Sequence, residues 1–322
     1  MALCGSVMLL SGILLGQQKS GTSSGEKPQA TKSQPPAGTN NESVTDEILT
    51  TADGWPIHVT YYASTFGKES PAVILLPGAE GPDKKDVRNR RVWQTAALTL
   101  QKNGFAVISV DLRKHGDSLP VAAGADAPAI KMNANDYVAM ATADLEAVKA
   151  FLLDQHKNEK LNIRKLGVVS VGSSAMVSAA FAVADWAKKP YPDGPTPETS
   201  TPRGQDVRAL IMYSPNSAVK NINPNTVLKT IKGLQIAVHV VASKDVEDDA
   251  RHAEKIFKGV ELRGEEYKDV RKITLAAGKT RAEGFLEGTF GEATNKDIVA
   301  FLTKNLKDLD SPWAARIDRR QN

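Results

Sequence analysis

From Ile48 onward, short runs of β-branched and apolar residues alternate with longer stretches whose apolar side chains recur at spacings of three and four. The first pattern suits strands buried on both faces and the second suits helices lying against them, so the alternation predicts βαβ units on a mostly parallel sheet. The segment ILTTADGWPIHVTYYAS carries an Asp53-Gly54 turn between two alternating runs, and an antiparallel hairpin is expected at one edge. The runs PAVILLPG, FAVISVDLR, KLGVVSVGSS, VRALIMYSPN, IAVHVVASKD and KITLAAG then read as six buried parallel strands. Helices near 90–102, 135–156, 174–188, 246–258 and 294–306 supply the crossovers between them. The Pro-rich segment 189–205 reads as an exposed loop, and 214–233 is too short for an independent lid domain. Any site at the strand ends is therefore expected to be open to solvent.

The two ends of the chain break this pattern. The first sixteen residues, MALCGSVMLLSGILLG, are apolar and uncharged, short of the about 20 residues that a spanning helix needs. They read as a signal peptide or as an anchor that stays attached; neither a basic start nor an A-x-A cleavage site decides between the two. Residues 17–43 hold Pro, Gly, Ser, Thr, Gln and Lys without one large aliphatic side chain, a composition that cannot offset its own ordering entropy and so suits a tether. The expected organisation is 1–16 signal or anchor, 17–43 linker, 44–308 folded domain and 309–322 C-terminal tail. It implies a secreted, periplasmic or envelope-associated protein that meets a membrane only through its N-terminal segment.

Composition narrows the chemistry. With 41% hydrophobic and 24% charged residues the body is globular, and its 41 Lys and Arg against 37 Asp and Glu are scattered rather than clustered. Nucleic acid is therefore not an expected partner. The only cysteine, Cys4, lies in the apolar start, so no disulfide framework or cysteine-based metal site is expected. No P-loop, GxGxxG, HExxH or EF-hand loop occurs, and no cofactor or metal is implied. The expected partner is a small molecule or an ester; the sequence carries no statement about self-association.

A hairpin, then LLPGAEG after the next strand, then SVDLRKHGDS, then a strand running into VGSS and a helix, then a strand ending in SKD: this order resembles the α/β-hydrolase fold, specifically the lid-free dienelactone-hydrolase and esterase type, over about residues 46–306. The resemblance implies a mostly parallel sheet of about eight strands with helices on both faces, an N-terminal antiparallel hairpin and no lid domain. It implies that Ser174, after Gly172 at the strand-to-helix turn, stands for the nucleophile, with Met176 where a small residue is usual. It implies oxyanion donors in the loop of Gly78 and Ala79 and at Ala175, and Asp245 as the acid that orients the base. The stretch expected to carry that base, LAAGKTRAEGFLEG, contains no histidine, and Lys279 or Glu283 comes nearest to the slot. His58, His115, His156, His239 and His252 each read as structural.

Two functions follow. One is a serine hydrolase of carboxylic esters in which Ser174 attacks and Lys279 serves as base, its activity weak or absent for want of the histidine; such a lysine must be desolvated to lose its proton near neutrality. The other is a non-catalytic protein that keeps the fold and uses its cleft to bind a ligand or partner at the cell envelope. The bulky Met176 and the charged Glu80 beside the oxyanion loop favour the second.

Overall fold

A computed structural model of the chain describes residues 43–80, 89–120 and 131–316. The apolar start and all but the last residue of the linker lie outside the described residues. The strands are β1 (Val44–Thr50), β2 (Pro56–Tyr62), β3 (Pro71–Leu76), β4 (Ala106–Val110), β5 (Asn162–Val171), β6 (Val207–Tyr213), β7 (Ala237–Ser243) and β8 (Arg271–Ala276). They form one sheet in the order β1-β2-β4-β3-β5-β6-β7-β8. β1 pairs antiparallel with β2, and β2 with β4; all remaining neighbours are parallel. The expected hairpin forms with Ile48 opposite His58, and Gly54 closes its turn in the left-handed region.

The apolar runs are continuous because both faces of the sheet are covered. In β3, Ile74 and Leu76 join a core layer with Ile108, Val168, Leu210 and Val240, while Val73 and Leu75 join the opposite layer with Val107, Val169 and Ile211. Successive side chains of a strand point to opposite faces, so a fully apolar run feeds two cores at once.

The helices are α1 (Gln94–Lys102), α2 (Ala134–Ala139), α3 (Leu145–Lys157), α4 (Ser174–Trp186), α5 (Pro224–Lys232), α6 (Glu247–Val260) and α7 (Gly288–Leu302), with a π-turn over Met140–Asp144 joining α2 to α3. Five match the sequence expectation closely once α2 and α3 are taken as one. α5 lies in the stretch 214–233, read only as too short for a lid: Asn223 caps it by accepting from the Thr226 N–H, Pro224 opens it, and its nine residues bury Leu228 and Ile231. α7 begins at Gly288 rather than near 294 because its first turns contain Gly288 and Gly291, which read as loop.

The stretch Asp111–Ser118 is built for structure. The Asp111 carboxylate accepts from the Arg90 N–H at 2.6 Å, the Arg90 guanidinium at 2.5 Å and the Asp117 N–H at 3.0 Å. Gly116 has φ +51, and a side chain there would strike that carboxylate. Arg113 bridges Asp144 at 2.8 Å and Asp53 of the hairpin turn at 2.8 Å. Near the C-terminus, Trp313 lies beside His156 with ring centroids 5.1 Å apart, and Arg316 pairs with buried Asp206, so the segment through Arg316 packs on the domain.

Candidate functional site

The parallel strands end on one side of the sheet, where the loops after β3, β5, β6, β7 and β8 converge. β5 ends at Val171 and α4 begins at Ser174, leaving two residues for the turn. The apex is Gly172, at φ +58, while Ser173 already has helical angles. Only glycine takes the left-handed region freely, so this backbone demands glycine or tolerates strain. The residues two before and two after it, Ser170 and Ser174, are small and fully buried, as the close packing of such a turn requires.

This places the expected nucleophile differently. Ser174 is not at the apex but two residues beyond it, in the first turn of α4, 0% exposed. Its hydroxyl donates to the Val171 carbonyl at 2.7 Å and accepts from the Val171 N–H at 3.1 Å. It therefore pins the end of β5 to the start of α4. Met176, which looked out of place while Ser174 was taken as the centre, is a core residue of α4, and the small residue that the pattern demands is Ser174 itself.

The space a side chain would need at Gly172 is already used. A Cβ built there falls on the Glu80 carboxylate. Glu80 Oε1 accepts the Ser173 N–H at 2.5 Å, the first N–H after the apex, at the positive end of α4 where an anion is favoured. The Ala175 N–H, expected as a donor, instead bonds back to the Gly172 carbonyl at 3.3 Å. On the other side, the Gly78 N–H donates to Glu283 Oε1 at 2.8 Å, a bond spanning 205 positions, and Ala79 is buried beside it. Two backbone donors at the turn thus each hold a carboxylate of the chain.

Asp245 follows β7 as expected. It is exposed, and its Oδ2 accepts the Gly278 N–H at 2.6 Å, bracing the turn after β8. Lys279 is exposed as well, without the burial a lysine base requires. Ser174, Asp245 and Lys279 are not brought together: none of them lines the cleft at Gly172. That cleft, of about 390 Å³, is lined by Glu80, Gly172, Asn216, Asp248, His252 and Glu283, with Arg281 at its rim.

Sequence reading missed the connections that shape this cleft. Asp249, 2% exposed, accepts from the Ser243 N–H at 2.8 Å and the Ser214 hydroxyl at 3.0 Å, and Ser214 in turn accepts the Ala282 N–H at 2.8 Å. One carboxylate therefore ties together the loops after β6, β7 and β8. His252 contacts Ser217, whose hydroxyl lies 2.8 Å from Nδ1 and whose N–H donates to the same nitrogen at 3.2 Å. Ser217 is 2% exposed and does not line the cleft, so the pair fastens the loop after β6 to α6. Burial, with Arg251 close by, holds His252 below the ordinary imidazole range, so it is neutral at pH 7.

Among the described residues no group of His, Cys, Asp or Glu has the geometry of a metal site, and no helix is long and apolar enough to cross a membrane. No protein family and no curated protein matches the sequence. Solved structures do resemble it. An esterase of Pyrococcus furiosus superposes with a TM-score of 0.53 at 13% identity, over 87% of this chain and 97% of that one. A dienelactone hydrolase from Anabaena variabilis gives 0.51 at 10% identity, over 82% and 99%. An esterase of the archaeon Pyrobaculum calidifontis gives 0.54 at 12% identity, over 81% and 83%. At identities this low the likeness is one of fold alone.

Proposed function

We propose that this chain, which has the α/β-hydrolase fold by its sheet order and its structural neighbours, is a non-catalytic protein that binds a ligand or partner at its strand-end cleft. Gly172 at the apex of the β5–α4 turn carries this reading. Ester hydrolysis by this architecture needs a hydroxyl or thiol at the apex, a base to deprotonate it, and N–H donors aimed at the developing oxyanion. The apex has no side chain. The Ser173 and Gly78 N–H groups hold Glu80 and Glu283, so a developing oxyanion would meet two carboxylates instead of two donors, and like charges at such range repel by several kcal/mol at an effective dielectric of about 20.

What the fold retains is the cleft and the bonds that shape it. Its lining favours a neutral or cationic group over an anion, because four carboxylates, Glu80, Asp248, Asp249 and Glu283, border it beside Arg281 and a neutral His252. The apolar start and the tether after it support a domain that is secreted or held at the envelope. The competing reading, a weak serine hydrolase using Ser174 and Lys279, is opposed by the buried, doubly bonded Ser174 hydroxyl and the exposed Lys279. Hydrolysis of p-nitrophenyl acetate and butyrate tests the two: wild type and Ser174→Ala are expected to give the same rate, at the level of uncatalysed hydrolysis. Saturable turnover that disappears in Ser174→Ala would overturn the proposal.

A further inference from the structure

A larger cavity, of about 660 Å³, opens at the other end of the sheet, where β6, β7 and β8 begin. Its volume falls in the range of small-molecule sites. One wall is apolar, made by Leu234, Ile236, Leu262, Val270 and Leu309. The polar side is cationic: Arg208, Lys232, Arg271 and Lys304 line it against a single carboxylate, Glu266. Lys304 is paired outside with Asp269.

Arg271, the first residue of β8, is 4% exposed. Its Nε donates to the Val260 carbonyl at 3.0 Å and its Nη2 to the carbonyls of Ile231 and Leu234 at 3.2 and 3.1 Å. These carbonyls close α6 and α5, whose negative ends favour a cation. That accounts for three of its bonds. Its Nη1 has no hydrogen-bond partner, and no carboxylate of the described residues pairs with it. The Nε of Arg208, whose guanidinium lies 4.8 Å from the Trp186 ring, has none either. Burial lowers the Arg271 pKa to about 10, which leaves it charged at neutral pH. A buried donor without an acceptor is costly, and a buried cation without a counter-charge more so. Arg208 is half-buried with Asp206 and Asp185 nearby, but Arg271 has no counter-charge, and two unsatisfied guanidinium donors beside one cavity mark a place where an anion is wanted.

We infer that this cavity binds an amphiphilic organic anion, its carboxylate or phosphate head against Arg271 and Arg208 and its hydrocarbon body along Leu234, Ile236, Leu262 and Val270. The site lies away from Gly172 and stands independently of the role proposed for the cleft. A head group of this kind accepts charge-assisted bonds from the free Arg271 Nη1 and Arg208 Nε. Lys232, exposed at the mouth, adds attraction at longer range.

The test is calorimetric titration of the full chain with octanoate, octyl phosphate and 1-octanol. Saturable one-to-one binding of octanoate or octyl phosphate, at least tenfold tighter than 1-octanol, supports the site; the preferred head group identifies the class of anion. Leu262→Trp, which fills the cavity from a half-buried loop position and leaves Arg271 in place, should weaken the anion at least tenfold with an unchanged melting temperature. Arg271→Lys, which keeps a cation at the helix ends but cannot present Nη1, should also weaken the anion at least tenfold. Equal affinity for 1-octanol, no saturable binding of either anion, or unchanged anion affinity in Leu262→Trp would overturn the inference.

Discussion

Gly172 and Ser174 differ by two positions along the chain and by opposite demands on their surroundings. A side chain at Gly172 must adopt left-handed angles, costing about 1–2 kcal/mol in itself, and must displace Glu80. Gly172→Ala is therefore expected to lower unfolding stability by more than about 1 kcal/mol. Adding Glu80→Ala should return part of the loss, a positive coupling measurable by a double-mutant cycle in urea. Ser174→Ala removes two bonds that join β5 to α4 and should cost about 1 kcal/mol while leaving the cleft's chemistry untouched. The sequence concealed this distinction because Ser170, Ser173 and Ser174 are all small: Gly172 reads equally well as the small residue before a serine centre or as the centre itself. Met176 held the clue, since the required small residue reappears when the frame moves by two.

Between elements, long-range polar bonds hold what the apolar layers leave loose. Asp249 serves three loops from the first turn of α6, so Asp249→Ala should release the ends of β6, β7 and β8 together and lower stability by about 2 kcal/mol. A second knot lies under the domain. Lys149 of α3 pairs with Asp185 of α4 and, at 2.7 Å, with Asp206 before β6, and Asp206 also takes Arg316. Arg316→Ala leaves buried Asp206 with Lys149 alone, which Asp185 shares, and a loss of about 3 kcal/mol is expected, read as a shift in the urea midpoint. Neither knot was legible in the sequence, which marks acids and bases but not which of them meet across 30 to 110 positions. The strands were legible because period and run length are local, and α5 was passed over because its apolar face, though periodic, spans only nine residues.

Across the whole molecule, acid is expected to be the vulnerable side. His239, fully buried in β7, has its pKa lowered to about 4 by burial, while the unfolded imidazole titrates near 6.5. Between these values the unfolded chain binds a proton that the folded chain refuses. Its contribution is therefore complete above about pH 6.5 and falls away toward pH 4, by roughly 3 kcal/mol over the full window. Asp53, lowered to about 2 chiefly by its bond to Arg113, adds loss in the same direction below the ordinary carboxylate range. His239→Gln should flatten the decline in melting temperature from pH 6.5 to pH 4.

The strands, the edge hairpin and the strand burial on both faces could be read from the sequence because they depend on patterns repeated along the whole chain. Whether the turn after β5 carries a nucleophile depends on one residue's backbone angles and on Glu80, ninety-two positions away, and only the folded chain brings these together. The most direct test of that point is reaction of the protein with a fluorophosphonate probe across pH 6–10, followed by mapping of any labelled peptide. No labelled serine is predicted at any pH. A label on Ser174, or on Ser217 beside His252, would mean that an activated hydroxyl exists in this fold and would contradict the account.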